Sequence, residues 1–305
     1  MNYQIKRLLM VAIAFITLTF IGCSGGGAES PSSYIITSGR INTQNKFTFK
    51  YGRMDVSAKL PKTANGLWPA IWLLGTDQQS GWPACGEIDI LEMGSKTGID
   101  NATQDRYLTS GTHWGELLAG GAHPAYARND NFPVSLQDGF HLFTFTWDET
   151  RMRVYIDPEL DAEQNIKNPN AYFYEILINV YTGEYPVGEY FHKPFFIILN
   201  LAVGGDFPSI YEIDKITALN QTNGYEAKMY IDYVKVYEGV NTNNLKWQDL
   251  FDGNTLDETK WNIEVNDDGG GNNELQAYRQ QNVSIGAEPE TGKRCLILTA
   301  KKQAI

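Results

Sequence analysis

The chain has 305 residues, a formal net charge of −11, 42% hydrophobic and 12% aromatic residues, and three cysteines. That is enough apolar material for one β-rich domain of ordinary size, and the acidic balance argues against a nucleic-acid partner. A neutral polymer suits the charge better than a polyanion.

Residues 1–22 read as an export leader: Lys6 and Arg7 precede an apolar run over 8–21 that is too short for a stable membrane span. The run closes on Phe20, Ile21, Gly22 and Cys23, which approximate a bacterial lipobox. Cys23 is then the expected lipidated first residue of an outer-membrane-anchored protein; the alternative is an ordinary secretory peptide with an incidental cysteine. Residues 23–33, rich in Gly and Ser, read as a flexible tether. Cys85 and Cys295 are the remaining cysteines, and their pairing stays open in an exported protein.

From residue 34 onward the pattern is short strands. Residues 46–60 alternate, residues 140–147 and 151–156 form a hairpin pattern around the turn 148–150, and residues 228–237 alternate again. Residues 195–203 are nearly all apolar, which predicts a buried strand. No long amphipathic helix is evident. The fold class is therefore all-β, a sandwich or barrel.

The stretch 86–92 stands apart. It is apolar and β-branched, yet carries Glu87, Asp89 and Glu92. On a strand Glu87 and Asp89 share one face, with Ile88 and Ile90 on the other. Glu92 is out of phase by one residue, and a β-bulge at Ile90 or Leu91 would return it to the acidic face. Three crowded carboxyls suit chemistry in which one is protonated and another ionised. The alternative is an edge strand whose charges oppose aggregation.

This acidic strand resembles the active-site strand of glycoside hydrolase family 16, in the bulged form of its laminarinase-like members. Segments 34–41, 51–56, 66–74, 231–237 and 272–278 resemble others of that family. The resemblance implies a β-jelly-roll sandwich of two curved antiparallel sheets, concanavalin A-like, and retaining endo-hydrolysis of β-1,3-linked glucan, either laminarin or mixed-linkage, by double displacement, with Glu87 as nucleophile, Glu92 as acid/base and Asp89 tuning both. No cofactor is implied for the reaction, and the enzyme is expected to be a monomer. The competing readings are another family 16 specificity, such as agarase or carrageenase, and a glucan-binding jelly-roll lectin without turnover.

The resemblance also implies cleft roles. Trp68 and Trp72 are expected to line the cleft, or else to pack in the core. Trp82 is expected at the rim and Trp147 in the core. His113 and Trp114 follow the acidic strand at a distance suited to the next strand, and His113 is expected to contact sugar or the acid/base, or to be structural. Arg40 and Asn273 match sugar-binding positions, against a surface salt bridge and a turn residue as alternatives. A structural calcium is implied in many members, held in part by the counterparts of Asp232 and of residues 249–253. Leu250 stands where the family has Glu, which puts that site in doubt.

The order of segments is unusual. The block 245–305 resembles the part that opens the family domain, yet here it follows residues 231–237, which resemble its close. The chain reads as circularly permuted: a single domain over 34–305, with segments 34–238 and 245–305 joined by the polar linker 239–244. The alternative is a tandem array cut within a second domain.

Overall fold

The computed structural model describes residues 33–180 and 183–305. The leader, the tether and Cys23 lie outside the described residues, apart from Ser33. In chain order the strands are β1 (Tyr34–Ser38), β2 (Arg40–Asn42), β3 (Gly52–Lys59), β4 (Leu67–Gly75), β5 (Glu87–Met93), β6 (Tyr107–His113), β7 (Ala125–Asn131), β8 (His141–Trp147) and β9 (Arg151–Ile156). They continue with β10 (Tyr174–Leu177), β11 (Phe195–Val203), β12 (Glu226–Tyr237), β13 (Leu245–Asp249), β14 (Asn262–Ile263), β15 (Gln276–Tyr278), β16 (Val283–Ala287) and β17 (Arg294–Ala304).

Two sheets form a β-jelly-roll sandwich. One runs β10-β9-β8-β3-β12-β17-β1-β15, with β13 on β12 and β16 on β17; the other runs β14-β2-β11-β4-β5-β6-β7. Between them lies one apolar cluster that includes Met54, Val56, Ile71, Leu73, Phe143, Phe145, Trp147 and Ile197. Trp147 is fully buried, as expected.

The local sequence explains the elements. β11 is buried at all nine positions, because it lies between β2 and β4 inside its sheet. The β8–β9 hairpin is closed by Asp148, whose Oδ1 accepts from the backbone N–H groups of Thr150 and Arg151 at 2.7 and 3.0 Å. The alternation over 46–60 yields a strand only from Gly52. Tyr51 has φ 65° and Gly52 φ 118°, and a Cβ at Gly52 would stand 2.1 Å from the Tyr237 carbonyl oxygen. That close crossing requires glycine.

The C-terminal block is integral to both sheets. β17 lies between β12 and β1, β15 pairs with β1, and β14 pairs with β2. Residues 245–304 are therefore not a detached fragment. Cys85 and Cys295 are both buried free thiols, so the disulfide left open by the sequence is not formed.

Candidate active site

β5 is an interior strand, paired to β4 on one side and β6 on the other, which removes the edge-strand reading of its acids. The bulge falls where the phase of Glu92 requires it. Against β4, Ile71 pairs with Leu91 and Trp72 with Asp89, leaving Ile90 without a partner. Against β6, Asp89 pairs with Gly111 and Glu92 with Thr109, so two residues oppose Ser110 alone. The Ser110 hydroxyl donates to the Ile90 carbonyl at 2.7 Å, satisfying a group the bulge leaves free.

Cross-strand partners share a face. Glu92 is opposite Ala70, Asp89 opposite Trp72 and Glu87 opposite Leu74, so all three acids face the same side as Trp72. Ile88, Ile90, Leu91 and Met93 are fully buried. At about 1.5–3 kcal/mol each, their burial offsets the repulsion of the three crowded acids.

Each glutamate has an indole donor. Trp82 Nε1 donates to Glu87 Oε2 at 3.1 Å, and Trp68 Nε1 donates to Glu92 Oε1 at 3.0 Å. Trp82 is exposed, at the rim as expected; Trp68 is buried and stacks on Phe207 at 4.8 Å between ring centroids. Thus Trp68 is a partner of Glu92 as well as a packing residue. Trp72 is half-buried, and its Nε1 donates to Asn200 Oδ1 at 2.7 Å.

Burial raises the pKa of all three acids. Glu87 is pushed well up, first by burial and then by the Asp89 charge. Burial raises Asp89 to about 7, and burial with the Asp89 charge raises Glu92 to about 8. The trio therefore carries fewer than three negative charges at neutral pH, as a proton donor beside a nucleophile requires.

His113 sits opposite Glu87 on β6, with its Nε2 3.4 Å from Asp89 Oδ2. One side-chain oxygen each of Glu87 and Asp89 and one ring nitrogen of His113 lie within 4.8 Å of one another. His123, which the sequence reading did not single out, places Nε2 2.7 Å from His113 Nδ1 and packs edge-on to Trp82 at 4.6 Å.

The remaining expected cleft residues divide. Arg40 stacks over Trp72 at 5.0 Å and pairs with Glu264 at 3.0 Å, so it does make the salt bridge given as its alternative. Asn273 Nδ2 donates to Asp206 Oδ1 at 2.9 Å, tying the 272–278 segment to the loop that carries Phe207. Trp114 corrects the sequence reading. It is buried in the core, edge-on to Phe191 at 5.9 Å, with its Nε1 donating to the Tyr185 carbonyl at 3.0 Å. One residue after the acid-facing His113, its side chain points to the opposite face of the strand path.

The residues implied for calcium are engaged otherwise. Asp232 Oδ2 pairs with Lys293 Nζ at 2.7 Å. Asp249 accepts from Trp261 Nε1 and from the Phe251 N–H, and the Gly253 carbonyl accepts from Arg294 Nε at 2.6 Å. Calcium needs six to eight free oxygens. Oxygens already committed to ammonium, guanidinium and indole donors do not fit it.

Comparison with known proteins agrees with this geometry. The Glycosyl hydrolases family 16 profile matches residues 24–192. The chain belongs to that family. It is 36% identical, with a TM-score of 0.55, to the family 16 enzyme of a Bacteroides ovatus mixed-linkage glucan locus solved with a G4G4G3G product, covering 69% of this chain and 83% of that one. A glucan endo-1,3-beta-glucosidase A1 of Niallia circulans is 31% identical over 69% of this chain and 28% of its own length. A beta-1,3-glucan-binding protein of Penaeus monodon is 34% identical over 61% of this chain and 52% of its own length. The chain thus spans about half or less of these two relatives.

Proposed function

We propose that this chain is a retaining endo-hydrolase of β-1,3-linked glucan, laminarin or mixed-linkage, acting by double displacement. The observation that carries this reading is Glu87 and Glu92 on one face of a bulged strand, each held by an indole N–H, with Asp89 between them. Retention needs two carboxyls about 5–5.5 Å apart, one attacking the anomeric carbon and one protonating the leaving oxygen. Glu87 attacks. Glu92, its pKa raised to about 8, holds the proton it must donate. A relative named for glucan binding keeps the lectin reading in view, but a lectin has no use for three crowded acids forced to share protons.

The test is product release from laminarin, lichenan and agarose. Oligosaccharides from laminarin or lichenan are expected; products from agarose alone, or binding to laminarin without turnover, would overturn the proposal.

The same reading extends to the whole chain. A circularly permuted order over 34–305 is supported by the insertion of β17 between β12 and β1. We infer that the fold dispenses with calcium, because Lys293 and Arg294 occupy the oxygens of Asp232 and Gly253. The expected result is a Tm unchanged by EDTA; a drop restored by calcium would refute it. Attachment as an outer-membrane lipoprotein through Cys23, with a monomeric catalytic domain, completes the proposal. Loss of membrane association in Cys23→Ser tests the anchor, and sedimentation tests the monomer.

A further inference from the structure

The hydrogen bonds around His113 constrain its tautomer. A carbonyl oxygen only accepts, so His123 Nδ1, 3.0 Å from the Gly121 carbonyl, carries a proton. The Nε2 of neutral His123 is then an acceptor, and His113 Nδ1, 2.7 Å away, must donate to it. A neutral His113 so held presents a bare Nε2 to Asp89 Oδ2. Asp89 is 4% exposed, and among the described residues its Oδ2 has no other hydrogen-bond partner. A lone pair facing a carboxylate repels it. One proton between them, on either Asp89 or His113, turns the contact attractive.

We infer that His123 is a positioning residue that fixes the tautomer of His113 and so keeps one shared proton in the Asp89–His113 pair beside the nucleophile. The inference rests on the hydrolase reading above. With that proton the pair carries no net charge. After burial, the Asp89 charge is the largest influence opposing ionisation of Glu87, so the shared proton eases formation of the attacking carboxylate. His123 is held in turn by Gly121 and by Trp82, the same indole that donates to Glu87.

The groups facing this pair are few. Glu87 and Glu92 act from β5, the Tyr174 phenol from β10 feels Asp89, and the Cys85 thiol feels Glu87. A protonated His123 would reverse the chain and let His113 donate from Nε2. Removing the acceptor has the same effect at all pH values. A free neutral His113 can donate to ionised Asp89, which stabilises the deprotonated pair and moves loss of the shared proton to lower pH.

His123→Phe and His123→Gln, in the full chain, separate this from packing. Phe keeps an aromatic ring against Trp82 but cannot accept. Gln can accept from His113 and donate to Gly121. With laminarin, His123→Phe is expected to lose about tenfold in kcat with KM within about twofold, and to move the basic limb of the pH profile down by about half a pH unit or more. His123→Gln is expected to stay within about threefold of wild type with its limb in place. Equal damage in both variants, or an unmoved limb in His123→Phe, would overturn the inference. Nitrogen NMR of His113 gives a readout independent of turnover. Nδ1–H on His113 at neutral pH in wild type, replaced by Nε2–H alone in His123→Phe, supports the relay, and a wild-type His113 without Nδ1–H refutes it. An inactive wild type would instead count against the hydrolase reading, while leaving the NMR test intact.

Discussion

Replacing Glu92 by Gln should stabilise the fold, and more so as pH rises. The amide mimics the protonated acid and still accepts from Trp68 Nε1, so the hydrogen bond at 3.0 Å survives. Glu92 titrates at about 8 in the fold against an ordinary 4.5. Below pH 4.5 the acid is protonated in both states and contributes no pH dependence. Between 4.5 and 8 only the unfolded chain releases the proton, so wild-type stability falls as pH rises. Above 8 the full penalty is present. At about 1.4 kcal/mol per pH unit the ceiling is roughly 5 kcal/mol. Solvent reaching the half-buried carboxyl reduces this, and we expect a gain of about 2 kcal/mol at pH 8.5. Urea denaturation of both proteins at pH 4.5, 6.5 and 8.5 measures it. A stability difference that does not change with pH, or a variant less stable at pH 8.5, would refute the placement of Glu92 as a half-buried, proton-holding acid.

Other outcomes follow from the same geometry. Trp68→Phe removes the donor that stabilises ionised Glu92, so the Glu92 carboxyl should keep its proton to higher pH, read by carboxyl NMR; a downward shift would contradict the Trp68–Glu92 bond. Glu87→Gln should retain glucan binding yet fall below about a tenth of wild-type kcat, at least about 1.4 kcal/mol of barrier; near-normal turnover would sink the nucleophile assignment. A chain ending at Glu238 loses β17 from between β12 and β1, exposing two unpaired edges. It should be insoluble or unfolded, and a soluble, active product would refute the account of the C-terminal block.

The acidic strand was legible because its chemistry breaks its own pattern. A period-two strand with one acid out of phase demands a bulge, and the structure supplies it at Ile90, capped by Ser110. The hairpin over 140–156 and the buried strand at 195–203 were legible for the same reason, since composition and alternation act locally. Residues that depend on tertiary approach were not. Trp114 looked like a cleft residue beside His113 but turns into the core. His123 lies in a loop without periodicity, and only folding brings it to His113. The strand predicted from residue 46 starts at Gly52 because the crossing of Tyr237 forces a positive φ there, a constraint set by a residue far along the chain.

The central claim is that Glu87 forms a covalent bond to the sugar while Glu92 manages the proton. A 2-fluoro β-1,3-glucosyl donor with an activated aryl leaving group slows breakdown of such an intermediate more than its formation. Incubated with the chain, digested and read by mass spectrometry, it should leave one glycosyl unit on the peptide carrying Glu87, attached to that residue. Label on Glu92, or steady turnover of laminarin with no label on any carboxylate, would contradict the account.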